Sequence, residues 1–85
     1  MLVSKNLAAC VNILPGVTSI YEWKGQIESS QEHLLLIKSS KENYNLIETM
    51  LFKHHPYEIP EIIAVPIEIG LPEYFDWIRS CLASR

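Results

Sequence analysis

Two apolar runs joined by a turn dominate the first half of the chain. Residues 10–23 read Cys10-Val11-Asn12-Ile13-Leu14-Pro15-Gly16-Val17-Thr18-Ser19-Ile20-Tyr21-Glu22-Trp23, and β-branched and aromatic residues in such density favour a strand. Pro15-Gly16 predicts a bend within it. Lys24-Gly25 is a turn signal. Gln26-Ile27-Glu28 starts a return strand, which strengthens at His33-Leu34-Leu35-Leu36-Ile37-Lys38. There Leu34 and Leu36 face one way, Leu35 and Ile37 the other, the pattern of a strand buried on both faces. A long hairpin follows, its tip projecting beyond the body of the domain.

The period changes after Lys38. Ser39 and Glu42 have the spacing of a capping box, and Tyr44, Ile47, Met50 and Leu51 recur at helical spacing, which predicts a helix over 41–54. His54 continues that stripe. His55 precedes Pro56, which biases it away from helical geometry, so the helix ends at the histidine pair. Its carbonyl end favours cations and protonated imidazole. Residues 62–69, Ile62-Ile63-Ala64-Val65-Pro66-Ile67-Glu68-Ile69, predict a further strand, with Pro66 at an edge or bulge. Gly70 ends it. Pro72 opens a last helix with Glu73 and Asp76 near its start and Tyr74, Phe75, Ile78, Cys81 and Leu82 on its apolar side. The order is a short helical stub, strand, strand, helix, strand, helix. It matches a βαββαβ arrangement from the second strand onward, plus one terminal helix.

Composition narrows the functional classes. Eighty-five residues with 48% apolar content describe one small globular domain, 1–85, near the lower limit of independent stability. Seven basic residues against ten acidic ones give a net charge of −3, which argues against nucleic acid as a partner and offers no polybasic membrane patch. No apolar run reaches the ~18 residues of a membrane span. Leu7-Ala8-Ala9-Cys10 has the look of a lipoprotein cleavage box, but only six residues precede it, too few for a signal peptide. Cys10 and Cys81 lack the spacing of a disulfide framework or a CxxC site and read as reduced thiols of a cytoplasmic protein.

The candidate chemistry gathers around KHHPYEIPE, residues 53–61. Imidazole suits copper, zinc and nickel, and thiolate suits copper(I), so His54, His55 and Cys10 are the candidate metal donors. Neighbouring histidines diverge on a helix or a strand, and a closed site takes about four donors. The plain alternative is a helix end with a satisfied histidine, and for Cys10 a small core residue. Lys38, at the end of an apolar strand, must bring its ammonium to water or to a carboxylate such as Glu61. An enzyme would use Cys10 as nucleophile, His55 as base and Glu61 as orienter. Nothing in the spacing supports that, and no nucleophile elbow or phosphate loop is present, so no catalysis is expected.

Four blocks carry a family resemblance. Lys5-Asn6-Leu7-Ala8-Ala9-Cys10-Val11-Asn12 is similar to a "KLAACVN" entry into a second strand. Thr18-Ser19-Ile20-Tyr21-Glu22-Trp23-Lys24-Gly25 is similar to a "TSxYxWxG" hairpin arm. His54-His55-Pro56-Tyr57-Glu58 with Pro60-Glu61-Ile62 is similar to an "HPYExPE" block, and Tyr74-Phe75-Asp76-Trp77-Ile78 to a "YLxW" last helix. From about Lys5 to Leu82 the chain resembles the CutA-type divalent-cation tolerance proteins. The resemblance implies an α+β, ferredoxin-like (βαββαβ, PII-related) sandwich, here lacking the first strand and most of the first helix, plus a C-terminal helix. It implies a homotrimer clasped by long hairpins, with Tyr21 and Trp23 as subunit contacts, and weakly bound copper or another divalent cation. It also implies a cleft at the subunit boundary lined by Lys38, Tyr57, Glu61 and Trp77, where PII-like relatives hold small anions. A small-ligand sensor or a protein-anchoring scaffold is the alternative function, since animal members are linked to anchoring of acetylcholinesterase. Family members begin with a strand that often carries a "TxP" motif and, in some, a copper-binding cysteine. That strand is absent here, so the sequence is expected to be a shortened form of a longer protein, with a gap beside residues 33–38.

Overall fold

The computed structural model of the protein describes residues 2–54 and 60–83. Its long-range order rests on an antiparallel hairpin of β1, Cys10–Trp23, and β2, Gln26–Lys38, in register from Cys10↔Lys38 to Trp23↔Gln26. The turn uses Lys24 at φ 53° and Gly25 at φ 80°. Positive φ at both central positions is the type I′ turn, whose twist matches that of paired strands. Leu14 pairs with Leu34 and Val17 with Glu32, so Pro15 and Gly16 together face His33 alone. This two-against-one count is a β-bulge, and Gly16 adopts φ 74° there. The bend expected at Pro15-Gly16 is this bulge. A strand of 14 residues at ~3.3 Å per residue accounts for the molecule's long dimension, 45 Å against 26 and 19 Å. The radius of gyration is 15.1 Å, against about 12 Å for a compact chain of this length, as a projecting arm requires.

The core gathers at the root of the hairpin. Residues 2–7 form hydrogen-bonded turns and not the expected helical stub: the Leu7 and Ala8 amides both donate to the Leu2 carbonyl, and Asn6 takes φ 60°. The Ala9 amide donates to the Lys38 carbonyl at 2.8 Å and extends the ladder by one step. Leu2 and Ala8 are thereby laid against Ile47, with Leu7, Val11, Ile37, Met50 and Leu51 packed around them.

A short 3-10 turn, Lys41–Asn43, leads into helix α1, Tyr44–His54. Ile47 is its buried residue, and Tyr44, Met50 and Leu51 are half-buried, as the spacing predicted. The capping box is not formed. The Ser39 hydroxyl donates to the Leu7 carbonyl, and Ser40 stands at the N-cap without a side-chain bond. A carbonyl from the N-terminal turn has displaced the helix's own amide as Ser39's partner. Helix α2, Pro72–Ala83, starts on its proline and buries Ile78, with Phe75, Cys81 and Leu82 half-buried. Both cysteines are free thiols, partly covered.

Two expectations are overturned. Residues 62–69 form no strand, and among the described residues the sheet has two strands only. A strand needs a partner edge for its alternating amides and carbonyls; here open space separates this segment from β2, and Pro66 has no amide to give. For the same reason β2 is not buried on both faces: Leu34, Leu35 and Leu36 remain 45%, 41% and 44% exposed. The fold is α+β, with the two helices set on a hairpin too narrow to cover them.

Two substitutions probe these features by chemical denaturation. Ile47→Ala is expected to cost about 2–4 kcal/mol through the lost side chain and the cavity it leaves. Gly25→Ala is expected to cost about 1–2 kcal/mol, because only glycine enters the left-handed region without Cβ strain.

Candidate functional site

The open space beside β2 is a groove of about 1220 Å³. Its walls are apolar: Leu36 on β2, Leu51 on α1, Val65 on the connecting segment and Ile78 on α2 all line it. The charged residues of the lining are Lys38, Lys41 and Arg79, with no carboxylate among them. Arg79 is neutralised by Asp76 at 2.8 Å, in a solvent-exposed pair of one helical turn. Lys38 and Lys41 have no ion pair among the described residues. They are three positions apart, where β2 leads into the 3-10 turn.

One side chain ties helix α1 to the far wall. The Tyr44 hydroxyl donates to Glu48 Oε2 at 2.8 Å and lies 3.1 Å from the Ile62 carbonyl oxygen. The bond to Glu48, then partial burial, then the negative charge of Glu48 hold its proton and raise its pKa above the ordinary phenol value. Ile62 is the point at which residues 60–70 are fastened to the rest, since among the described residues those backbone groups make no hydrogen bond to other backbone. Tyr44 was legible in the sequence as a member of the helical stripe. Its bond across to residue 62 was not, because nothing local marks it.

The sequence-derived site residues separate. Cys10 opens β1 directly opposite Lys38, which puts a thiol and an ammonium on one face, with cross-strand Cβ atoms about 4.5–5.5 Å apart. His54 closes α1 and is exposed, so it does not continue the buried stripe as its spacing suggested; the core beneath the helix ends at Met50 and Leu51. His55 and Tyr57 lie outside the described residues. Among the described residues no three of His, Cys, Asp and Glu converge as metal ligands would. Of the cleft set, Lys38 lines the groove, whereas Glu61 and Trp77 do not. Within the chain Lys38 makes no ion pair with Glu61 among the described residues, and Glu61 is exposed to water. Trp77 stacks on Tyr74, centroids 5.7 Å apart, and stays 45% exposed. Tyr21 and Trp23 stand exposed on the hairpin arm, with Lys24 Nζ 5.9 Å from the Trp23 ring centroid, within cation–π range. Among the described residues no helix is long and apolar enough to cross a membrane.

A family model for the CutA1 divalent ion tolerance protein matches residues 1–81. The divalent-cation tolerance protein CutA of Thermus thermophilus is 49% identical over 78 residues, covering 92% of this chain and 76% of its own length. Its solved structure superposes with a TM-score of 0.88. Protein CutA of Mus musculus is 45% identical over 83 residues, but this chain spans only 47% of it. The PII-like protein CutA of Nostoc, solved in apo form, matches with a TM-score of 0.86 at 35% identity, over 95% of this chain and 79% of that one.

The Tyr44 arrangement has a measurable consequence. In an alkaline titration read by phenolate absorbance, with Tyr44→Phe to isolate the signal, Tyr44 is expected to ionise above the ordinary tyrosine range, and Glu48→Gln to bring it back toward that range. Because the folded state holds the proton more tightly than the unfolded one, this contribution is fully present below the ordinary tyrosine pKa and is lost as pH rises through the raised value.

Proposed function

The chain belongs to the CutA1 divalent ion tolerance family, and from that premise we propose that it is a non-catalytic, cytoplasmic homotrimer that binds divalent cations weakly, copper among them. The match to proteins named for divalent-cation tolerance, over residues 1–81, is the observation that carries this reading. In the finer description it is a ferredoxin-like sandwich related to the PII proteins, as the Nostoc relative's name says of that protein. The subunit contacts are Tyr21, Trp23 and the apolar side chains around them. What supports assembly is the poverty of the single chain's interior. Leu2, Ala8, Ala9, Ile47 and Ile78 are its buried apolar residues, while Ile13, Ile20, Ile27, Leu46 and Phe52 are mostly exposed. Burying one such side chain is worth about 1.5–3 kcal/mol, so a few of them outweigh much of a domain's total stability of ~5–15 kcal/mol. The free thiols Cys10 and Cys81 fit a reducing compartment.

Among the described residues no three donors converge, and His55 lies outside them. In this reading the cation is a loosely held cargo. His54 and His55 are its imidazole donors at the end of α1, Cys10 is the thiolate candidate, and further donors come from a neighbouring subunit. The match to a PII-like relative favours a second reading: a small-ligand sensor or protein-anchoring scaffold, with Lys38, Tyr57, Glu61 and Trp77 at the subunit cleft and metal incidental.

Calorimetric titration of copper into the wild-type protein and a His54→Ala/His55→Ala variant separates the two readings. Weaker binding by the variant is expected; equal binding discards the histidine donors. Sedimentation at micromolar concentration is expected to show a species of three chains, and a stable, folded single subunit overturns the assembly.

A further inference from the structure

We propose that the face of the hairpin turned away from α1 is a seam between copies of this chain, closed by an ion pair from Glu32 of one copy to Lys38 of the next. This deepens the assembly reading above and rests on it, adding the residues that fix how the copies meet.

The register defines the face. Val11 and Ile37 pack toward Ile47 of α1, so Lys38 and Leu36, their neighbours in the ladder, stand on the opposite face. Cross-strand partners share a face, and Leu14↔Leu34 and Val17↔Glu32 continue it. On β2 the row steps by twos from Lys38 to Glu32, whereas on β1 the step from Leu14 to Val17 is three, across the bulge. The extra residue therefore keeps Tyr21 and Trp23 on this face; a regular strand would turn them to the α1 side.

The face is apolar between two charges. Leu14, Leu34 and Leu36 are each at least two-fifths exposed, and pairing at a sheet edge does not cover side chains that stand out from a face. Glu32 and Lys38 bracket these leucines along β2. The Glu32 carboxylate accepts from the Ser19 hydroxyl at Oε1, 2.7 Å, and from the Ser30 hydroxyl at Oε2, 3.4 Å, which holds it in place on the face. A carboxylate has about four acceptor positions, so it retains capacity for a cation, and it meets none among the described residues. Lys38 likewise meets no carboxylate there. The two do not serve each other within one chain, since six residues at ~3.3 Å each set them ~20 Å apart.

A second copy supplies both missing halves. The arm carries Glu22, Glu28 and Glu32 against Lys24, while the root, residues 10–14 and 34–38, carries Lys38 and no carboxylate. The face is thus acidic at one end and basic at the other, so the arm of one copy complements the root of the next, leucine meeting leucine between the charges. Such complementarity fixes register, and like charges brought together in its place are strongly unfavourable.

The test is sedimentation equilibrium of wild type, Glu32→Lys, Lys38→Glu and the double variant Glu32→Lys/Lys38→Glu, with circular dichroism to establish that each is folded. Each single reversal is expected to raise the concentration of half-dissociation by at least about tenfold. The double variant exchanges the charges and is expected to recover most of that loss, which a merely structural role for either residue does not produce. The proposal is overturned if either single variant assembles like wild type, or if the double variant assembles no better than the weaker single one. Should a single variant not fold, the double variant decides: assembled, it supports the pair; dissociated, it overturns it. A three-chain wild type indifferent to both reversals keeps the trimer and discards the pair. A two-chain wild type with recovery in the double variant keeps the pair and discards the trimer, and a stable single subunit discards both.

Discussion

The antiparallel ladder from Cys10↔Lys38 to Trp23↔Gln26 holds the long-range order of the chain, and among the described residues β2 is paired on one side only. Every other feature follows from that asymmetry. On the β1 side the ladder runs on through Ala9 to the N-terminal turn, and the core of Leu2, Ala8 and Ile47 forms where ladder, turn and helix α1 meet. On the other side no strand is paired among the described residues. Helix α1 leaves that edge, and residues 62–67 return opposite it across a groove.

The free edge also explains the exposure. Leu34, Leu35 and Leu36 form a continuous apolar run, yet each is more than two-fifths exposed. Their sequence pattern specifies burial on two faces, and the described residues provide cover for neither in full. A flat, apolar, unpaired edge is the kind of surface that natural sheets cover or charge. Among the described residues the charges along the groove are Lys38, Lys41 and the paired Arg79.

Local signals were legible in proportion to how local their causes are. The turn at Lys24-Gly25, the bulge at Pro15-Gly16 and the start of α2 at Pro72 each depend on the φ preferences of one or two residues, and each stands where the sequence placed it. The Ile47 stripe was equally plain, because a helix makes its own hydrogen bonds. Residues 62–69 have the composition of a strand, but strand formation is a property of pairs. Their neighbour in the sequence order is not β2, and no feature of Ile62–Ile69 alone discloses that. Ser39 shows the same limit on a smaller scale: its spacing to Glu42 fits a cap, and a carbonyl more than thirty residues away takes it instead. At the candidate site the oddity of Lys38 was readable, while its pairing with Cys10 across the ladder and the bond from Tyr44 toward Ile62 were not.

That pairing weighs on the choice among metal donors. A divalent cation drawn to a Cys10 thiolate meets the Lys38 ammonium on the same face of the hairpin, and like charges at cross-strand distance are destabilising. Lys38 can swing its charge toward water, but Lys41, three positions on, also lines the groove. His54 has the opposite surroundings: it is exposed and terminates α1, where the unpaired carbonyls present partial negative charge. Electrostatics therefore favours the end of α1 over the Cys10–Lys38 face of the hairpin as the place for a cation.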